Sequence, residues 1–185
     1  MKRTKKIVIV SHCILNVNSK VEGCCEFGQV SSNFIKYLID NDYGIIQMPC
    51  PETTIYGIKR WGHVKEQFDT PYYRKHCRGI FEPILEQIED YINNGYKIKA
   101  LIGINGSPSC GHSLTCSSNS WGGEFASSAD TDEKISNLKC ITSPGIFIEE
   151  IEKMLKDRGI EIELAAVDEE NEELTMNNIR KILEA

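Results

Sequence analysis

Four apolar runs rich in β-branched residues alternate along the chain with stretches of helical periodicity. Ile7-Val8-Ile9-Val10 follows a charged start and is continuously apolar, as a strand buried on both faces must be. Ile45–Met48, Ile98–Ile102 and Ile160–Val167 read as the second, third and fourth strands. Between the first two, Phe34, Ile35, Leu38 and Ile39 recur at helical spacing, and Asp40-Asn41-Asp42-Tyr43-Gly44 supplies a stop signal. A long helix is predicted near Tyr72–Asn94, with Ile80, Ile84, Leu85, Ile88 and Ile92 on one stripe. A third helix should start at Pro144, capped by Ser143, and run through Ile148, Ile151, Met154 and Leu155 to Gly159. A terminal helix over Asn171–Leu183 should turn Leu174, Ile179 and Ile182 inward. This βαβαβαβα order predicts an α/β, Rossmann-like three-layer fold with a mostly parallel sheet of about four strands, in one domain over residues 1–185.

Three of the four strands lead into a short polar turn that carries a cysteine: Ser11-His12-Cys13, Pro49-Cys50-Pro51-Glu52, and Gly106-Ser107-Pro108-Ser109-Cys110-Gly111-His112. Ligands of open parallel sheets bind outside the carboxyl ends of the strands, so this topology would bring three thiols to one edge. Prolines on both sides should hold Cys50 extended and out of the next helix. The Ser-Pro-Ser turn cannot extend a sheet, and is expected to expose backbone N–H groups as a cradle.

Two segments lack a period. Thr53–Thr70 carries Tyr56, Arg60, Trp61, His63 and Phe68, and reads as a lid or substrate wall, or as a loop pinned by a few aromatics. Residues 113–132 are rich in Ser, Gly and Thr, contain Cys116, Trp121 and Glu124, and read as a long functional loop or flap. Cys24 and Cys25 are adjacent, too strained to pair with each other, and read as small buried residues. Cys77 falls on the long helix and reads as structural.

The net charge of −6 argues against general nucleic-acid binding. No apolar run suggests a membrane span, and the basic start leads straight into a strand, so the expected compartment is cytoplasmic. There, eight cysteines imply metal binding or thiol chemistry rather than disulfides. CxxC spacings are absent. Three convergent thiolates would leave one position open on a zinc ion or on a four-iron cluster, and an open iron is a Lewis acid with affinity for sulfur.

Val10-Ser11-His12-Cys13, Cys50-Pro51-Glu52 and Ser107-Pro108-Ser109-Cys110-Gly111 stand in the order of three motifs of the thiouracil desulfidase (TudS) family, which the sequence resembles over about Lys5–Gly123. The resemblance implies a [4Fe-4S] cluster held by Cys13, Cys50 and Cys110 with one open iron, and removal of sulfur from a small thiolated substrate, a thiouracil-like base or nucleoside. It implies a carboxylate beside the iron for proton transfer, for which Glu52 is the first candidate. Ser109 and Ser11 would then be hydrogen-bond donors to substrate or cluster sulfur. Glu52 reads alternatively as a capping or salt-bridged carboxylate. Departures fall on the pocket rather than on the ligands: Ile14-Leu15-Asn16, Lys20 and Glu22, Tyr56-Gly57-Ile58, Lys59-Arg60-Trp61 and Gly106 replace the family's usual residues, which implies a divergent relative whose sulfur substrate is not fixed as thiouracil.

Two other classes remain open. Cys110 could be a nucleophile in a hydrolase or transferase with His112 or His12 as base, or the chain could be a non-enzymatic iron-sulfur or zinc sensor. A nucleotide enzyme of the ordinary kind is disfavoured, since no GxGxxG follows the first strand. Whether Cys24, Cys25 or Cys116 supplies a further ligand is left open.

Overall fold

The computed structural model describes residues 3–23, 28–124 and 126–184. Its centre is a four-stranded sheet of β1 (Lys6–Val10), β2 (Gly44–Gln47), β3 (Lys97–Ile104) and β6 (Leu164–Val167), in the order β2-β1-β3-β6. Every pairing is parallel. Alternate side chains leave β1 on opposite faces. Ile9 joins one core, with Phe81, Leu85 and Ile88 of α5 (Pro71–Asn93) and Phe147, Ile151 and Leu155 of α7 (Ile146–Asp157). Val8 and Val10 join the other, with Phe34 and Leu38 of α2 (Gly28–Asp40) and Met176, Ile179 and Leu183 of α8 (Glu172–Glu184). The three-layer Rossmann-like arrangement is therefore the one the strand and helix pattern predicts.

Four departures from the sequence reading have local causes. The fourth strand is confined to Leu164–Val167, and Ile160 and Ile162 pack against the α5/α7 core without pairing as strand residues. On α8 the inward stripe is Thr175, Met176, Ile179 and Leu183, which leaves Leu174 half exposed. Thr53–Thr70 is not one loop, because α3 (Pro51–Tyr56) and α4 (Lys65–Phe68) lie at its two ends. Phe68 is fully buried and stacks on Tyr73 at 4.3 Å. Finally, the segment read as a flap begins with β4 (Leu114–Ser117) and ends in α6 (Ser128–Ser136), and β4 pairs antiparallel with β5 (Lys139–Thr142) as a separate hairpin-like unit.

The third helix starts at α7 with Gly145 rather than Ser143 at its cap, and the reason bears on the cysteine turn. A helix start leaves unpaired N–H donors. Here Gly145 N–H donates to Gly111 O at 2.8 Å, Ile146 N–H to Pro108 O at 3.0 Å and Phe147 N–H to Ser109 O at 3.0 Å. A Cβ on Gly145 would stand 2.5 Å from the Ser109 carbonyl oxygen, so only glycine permits this approach. Behind it, α7 is clamped to α5 by the buried Glu150, which accepts from Arg74 and Arg78. Burial works to raise the Glu150 pKa, but the two guanidinium groups hold it below its ordinary value.

Gly145→Ala is expected to destabilise the protein by about 1–3 kcal/mol in urea unfolding, since the neighbouring atom is backbone and cannot step aside. Gly79→Ala, in an exposed helical position with nothing within 4 Å, should stabilise it by about 0.5–1 kcal/mol. Cys77 is fully buried and belongs to the core, and burial pushes its thiol from 9.0 up to about 12. Above pH 9 the unfolded chain ionises this thiol while the folded chain keeps it neutral, so its contribution falls as pH rises towards 12. Cys77→Ala should therefore show a shallower loss of stability than the parent between those pH values, measured by urea midpoints.

Candidate functional site

Cys13, Cys50 and Cys110 line one cavity of about 370 Å³ at the carboxyl edge of the sheet. Each is placed by the element that follows its strand. Cys13 lies in α1 (His12–Leu15), the single turn after β1. Cys50 has extended backbone, as its flanking prolines require, yet it also caps α3: its Sγ accepts from Thr53 N–H at 3.4 Å. Cys110 ends the turn docked on α7.

That turn is not the open cradle of N–H groups expected for it. Ser109 and Cys110 N–H both donate to Ser107 Oγ, at 3.3 and 3.0 Å, and Gly111 N–H donates to Ser107 O. The Ser107 side chain folds back over its own turn and consumes the donors. What faces the cavity is a row of side chains.

Glu52 and Ser109 meet there. Ser109 Oγ donates to Glu52 Oε1 at 2.5 Å and lies 3.6 Å from Cys110 Sγ. Arg60 Nε donates to Glu52 Oε2 at 2.9 Å, and Arg60 Nη2 to the Ser19 carbonyl at 2.8 Å. The Glu52 carboxylate is thus both salt-bridged and aimed into the cavity. Both side chains of the pair are nearly inaccessible, with 4% and 10% exposure for Arg60 and Glu52. Ser11 is fully buried but does not line the cavity, and its Oγ has no hydrogen-bond partner among the described residues.

Burial pushes the Cys13 thiol up to about 12, with nearby Lys20 opposing and Cys50 and Glu52 adding to the rise. Burial likewise pushes the Cys110 thiol up, and negative charge on Cys13 or Cys50 would raise it further. Among the described residues no three His, Cys, Asp or Glu side chains close around a single metal ion. The three thiols share the cavity, and Cys13 and Cys50 lie close enough to Cys110 to act on it electrostatically.

Glu169 lines the cavity with no local sequence signal, and Tyr73 is a near neighbour of its charged groups. Lys20 and Glu169, far apart in the chain, form a mostly buried ion pair on the wall. Trp121 lines the cavity and donates from Nε1 to Gly62 O, another lining residue, at 3.0 Å. Tyr73, on α5, keeps its hydroxyl buried without a partner among the described residues and in the field of Glu52, Cys50 and Cys110. Of the segment Thr53–Thr70, Arg60, Gly62 and His63 line the cavity, whereas Trp61 is 80% exposed and does not.

His12 and His112, the two histidines nearest to the cysteines in sequence, do not line the cavity. His63 does, stacked on Phe68 at 5.0 Å and with the Tyr56 ring tilted against it at 4.6 Å. Burial lowers its pKa against an opposing pull from Glu52. Cys116 is on the cavity wall, Cys77 is in the core, and Cys24 and Cys25 lie outside the described residues.

Over 106 residues the chain is 44% identical to the uncharacterized protein MJ0003 of Methanocaldococcus jannaschii, a match that takes in 57% of this chain and 67% of that protein. The chain belongs to the MJ0003 family. No family model matches it, and no solved structure matches it.

Breaking the buried pair from one side should be costly. Arg60→Met, which strands the Glu52 charge, is expected to destabilise by about 3–5 kcal/mol. Adding Glu52→Gln should recover about 1–3 kcal/mol of that, as a double-mutant cycle of urea unfolding would measure.

Proposed function

We propose that the protein is a desulfidase that removes sulfur from a small thiolated molecule, a thiouracil-like base or nucleoside, using a [4Fe-4S] group held by Cys13, Cys50 and Cys110. The observation that carries this reading is the placement of three strand-end thiols and the Ser109–Glu52 pair on one cavity.

The donor set fits such a group. Three sulfur donors suit iron-sulfur or other soft metal chemistry, and ligands of a polynuclear cluster bind separate irons, so they need not surround a single point. Unpartnered buried atoms also occur here among the described residues: Arg60 Nη1, on a residue that lines the cavity, and the Tyr73 hydroxyl, in the field of Glu52, Cys110 and Cys50. Buried polar groups ordinarily find partners, and a bound polar ligand would supply them. The bound cluster would contribute an open iron that takes up sulfur as a Lewis acid.

The net reaction replaces a C=S group and water by a C=O group and hydrogen sulfide, so protons must leave the water and reach the sulfur. Glu52 Oε1 is the group that moves them. Arg60 holds Oε2 and fixes the orientation of the carboxylate, while the Ser109 hydroxyl bridges Oε1 towards the Cys110 sulfur. His63, stacked and half-buried, and Trp121 offer flat surfaces for a planar ring, and a cavity of about 370 Å³ is of small-ligand size.

Two contrasts favour this reading over its rivals. A cysteine nucleophile needs a lowered thiol pKa, and burial drives Cys110 the other way, whereas metal binding replaces the proton. A sensor has no use for a carboxylate held by an arginine and aimed at a serine.

Protein reconstituted without oxygen should contain about four irons and four sulfides per chain, with a broad visible absorption that is lost on replacing Cys13, Cys50 or Cys110 by Ala. Glu52→Gln should keep the iron and lower sulfide release from a thiolated base by about 10²–10⁴-fold. Iron absent after reconstitution would overturn the proposal.

A further inference from the structure

The antiparallel pair β4–β5 places Cys116 directly opposite Cys140. The hydrogen bonds show which kind of opposition this is. Cys116 N–H donates to Gly106 O at 3.1 Å, and Leu114 O accepts from Gly106 N–H at 3.0 Å. Both residues thus turn their backbone groups away from β5 and towards the cysteine turn. In an antiparallel ladder this makes Cys116 and Cys140 a non-hydrogen-bonded pair, the narrow kind, with Cα atoms about 4.5 Å apart and side chains on the same face. Disulfides need Cα separations of about 4.4–6.8 Å, so no backbone movement is required to join them.

Their surroundings differ in a useful way. Cys140 is exposed, and Cys116 is half-buried on the wall of the candidate site. A reagent in solution meets Cys140 first, and Cys116 is the neighbour that resolves the intermediate.

We propose that Cys116 and Cys140 form a reversible cross-strand disulfide that fastens the outer wall of the cavity, driven by exchange with low-molecular-weight disulfides. The Cys140 thiolate attacks the small disulfide, forming a mixed disulfide and releasing one small thiolate. The Cys116 thiolate then attacks Cys140 Sγ and displaces the second. The two cysteine protons pass to the leaving thiolates, so the small disulfide is reduced to two thiols as one protein S–S bond forms.

The structure also says what such a bond would fasten. Two strands of four residues are marginal on their own. They flank the segment that carries Trp121 and Leu138, both of which line the cavity. A cross-link between Cys116 and Cys140 closes this segment into a ring with β4, which is anchored to the Cys110 turn through Gly106 and by the Thr115 hydroxyl on Ser107 O. Neither thiol is one of the three proposed cluster ligands.

The test uses the reduced full chain, equilibrated without oxygen against reduced and oxidised glutathione at a series of ratios, then alkylated and digested without reduction. The expected result is a Cys116–Cys140 peptide pair that accumulates as the ratio becomes more oxidising and disappears on adding reductant. Limited proteolysis within residues 118–138 should slow by at least about tenfold on oxidation. Cys140→Ser, which alters an exposed residue outside the cavity, should abolish both effects while leaving proteolysis of the reduced protein unchanged. Cys116 remaining reduced at every ratio, pairing instead with Cys13, Cys50 or Cys110, or joining Cys140 only after denaturation would overturn the proposal. These readouts involve neither iron nor turnover, so their failure is distinct from failure of the desulfidase reading.

Discussion

The candidate site depends on the contact between the start of α7 and the Ser107–Gly111 turn. Unpaired donors at a helix start must find acceptors, and here they find the carbonyls of Pro108 and Ser109. The turn is thereby held by backbone against a helix that is itself buried on the sheet and clamped to α5 through Glu150. Cys110 takes its position from the core of the protein rather than from a loop. Gly103, beneath the turn, meets the same demand from the other side, since a Cβ there would overlap the Cys110 carbonyl.

Backbone and side chains divide the work around the cavity. Strand ends, a proline-flanked cap and a docked turn set the three sulfurs. Most charged and ring side chains of the wall come from segments outside the sheet: Lys20, Arg60, His63, Trp121 and Glu169. Glu52 joins the two groups, because α3 fixes its backbone while Arg60 and Ser109 fix its carboxylate. Such a carboxylate, nearly buried and held at both oxygens, has few orientations left to lose when a ligand binds.

The sheet and its strand-end cysteines were legible because both follow from periodicity. Continuous apolar runs give buried parallel strands, and the carboxyl-edge rule then places Cys13, Cys50 and Cys110 together. Glu52 and Ser109 were legible as candidates only through short motifs, and their mutual hydrogen bond was not; Ser11 came with its motif although its side chain does not reach the cavity. Gly145 as the cap of α7 was hidden because Ser143-Pro144 is the stronger local signal, and tertiary hydrogen bonds overrode it. β4 and β5 are four residues each, too short for alternation to register. The Lys20–Glu169 pair joins loops at opposite ends of the chain, and no local pattern announces it.

The three thiols stand at positions 13, 50 and 110, each beyond a different strand, so no fragment of the chain contains the site. β1 must pair with both β2 and β3 before the sulfurs become neighbours, and parallel pairing requires the intervening helices to have crossed over. A metal group can therefore be received only by a chain that has finished folding. It would bind to a formed cavity instead of serving as a nucleus for collapse. Once seated, it would draw the folding equilibrium towards the native state, making occupancy and conformational stability a single linked quantity.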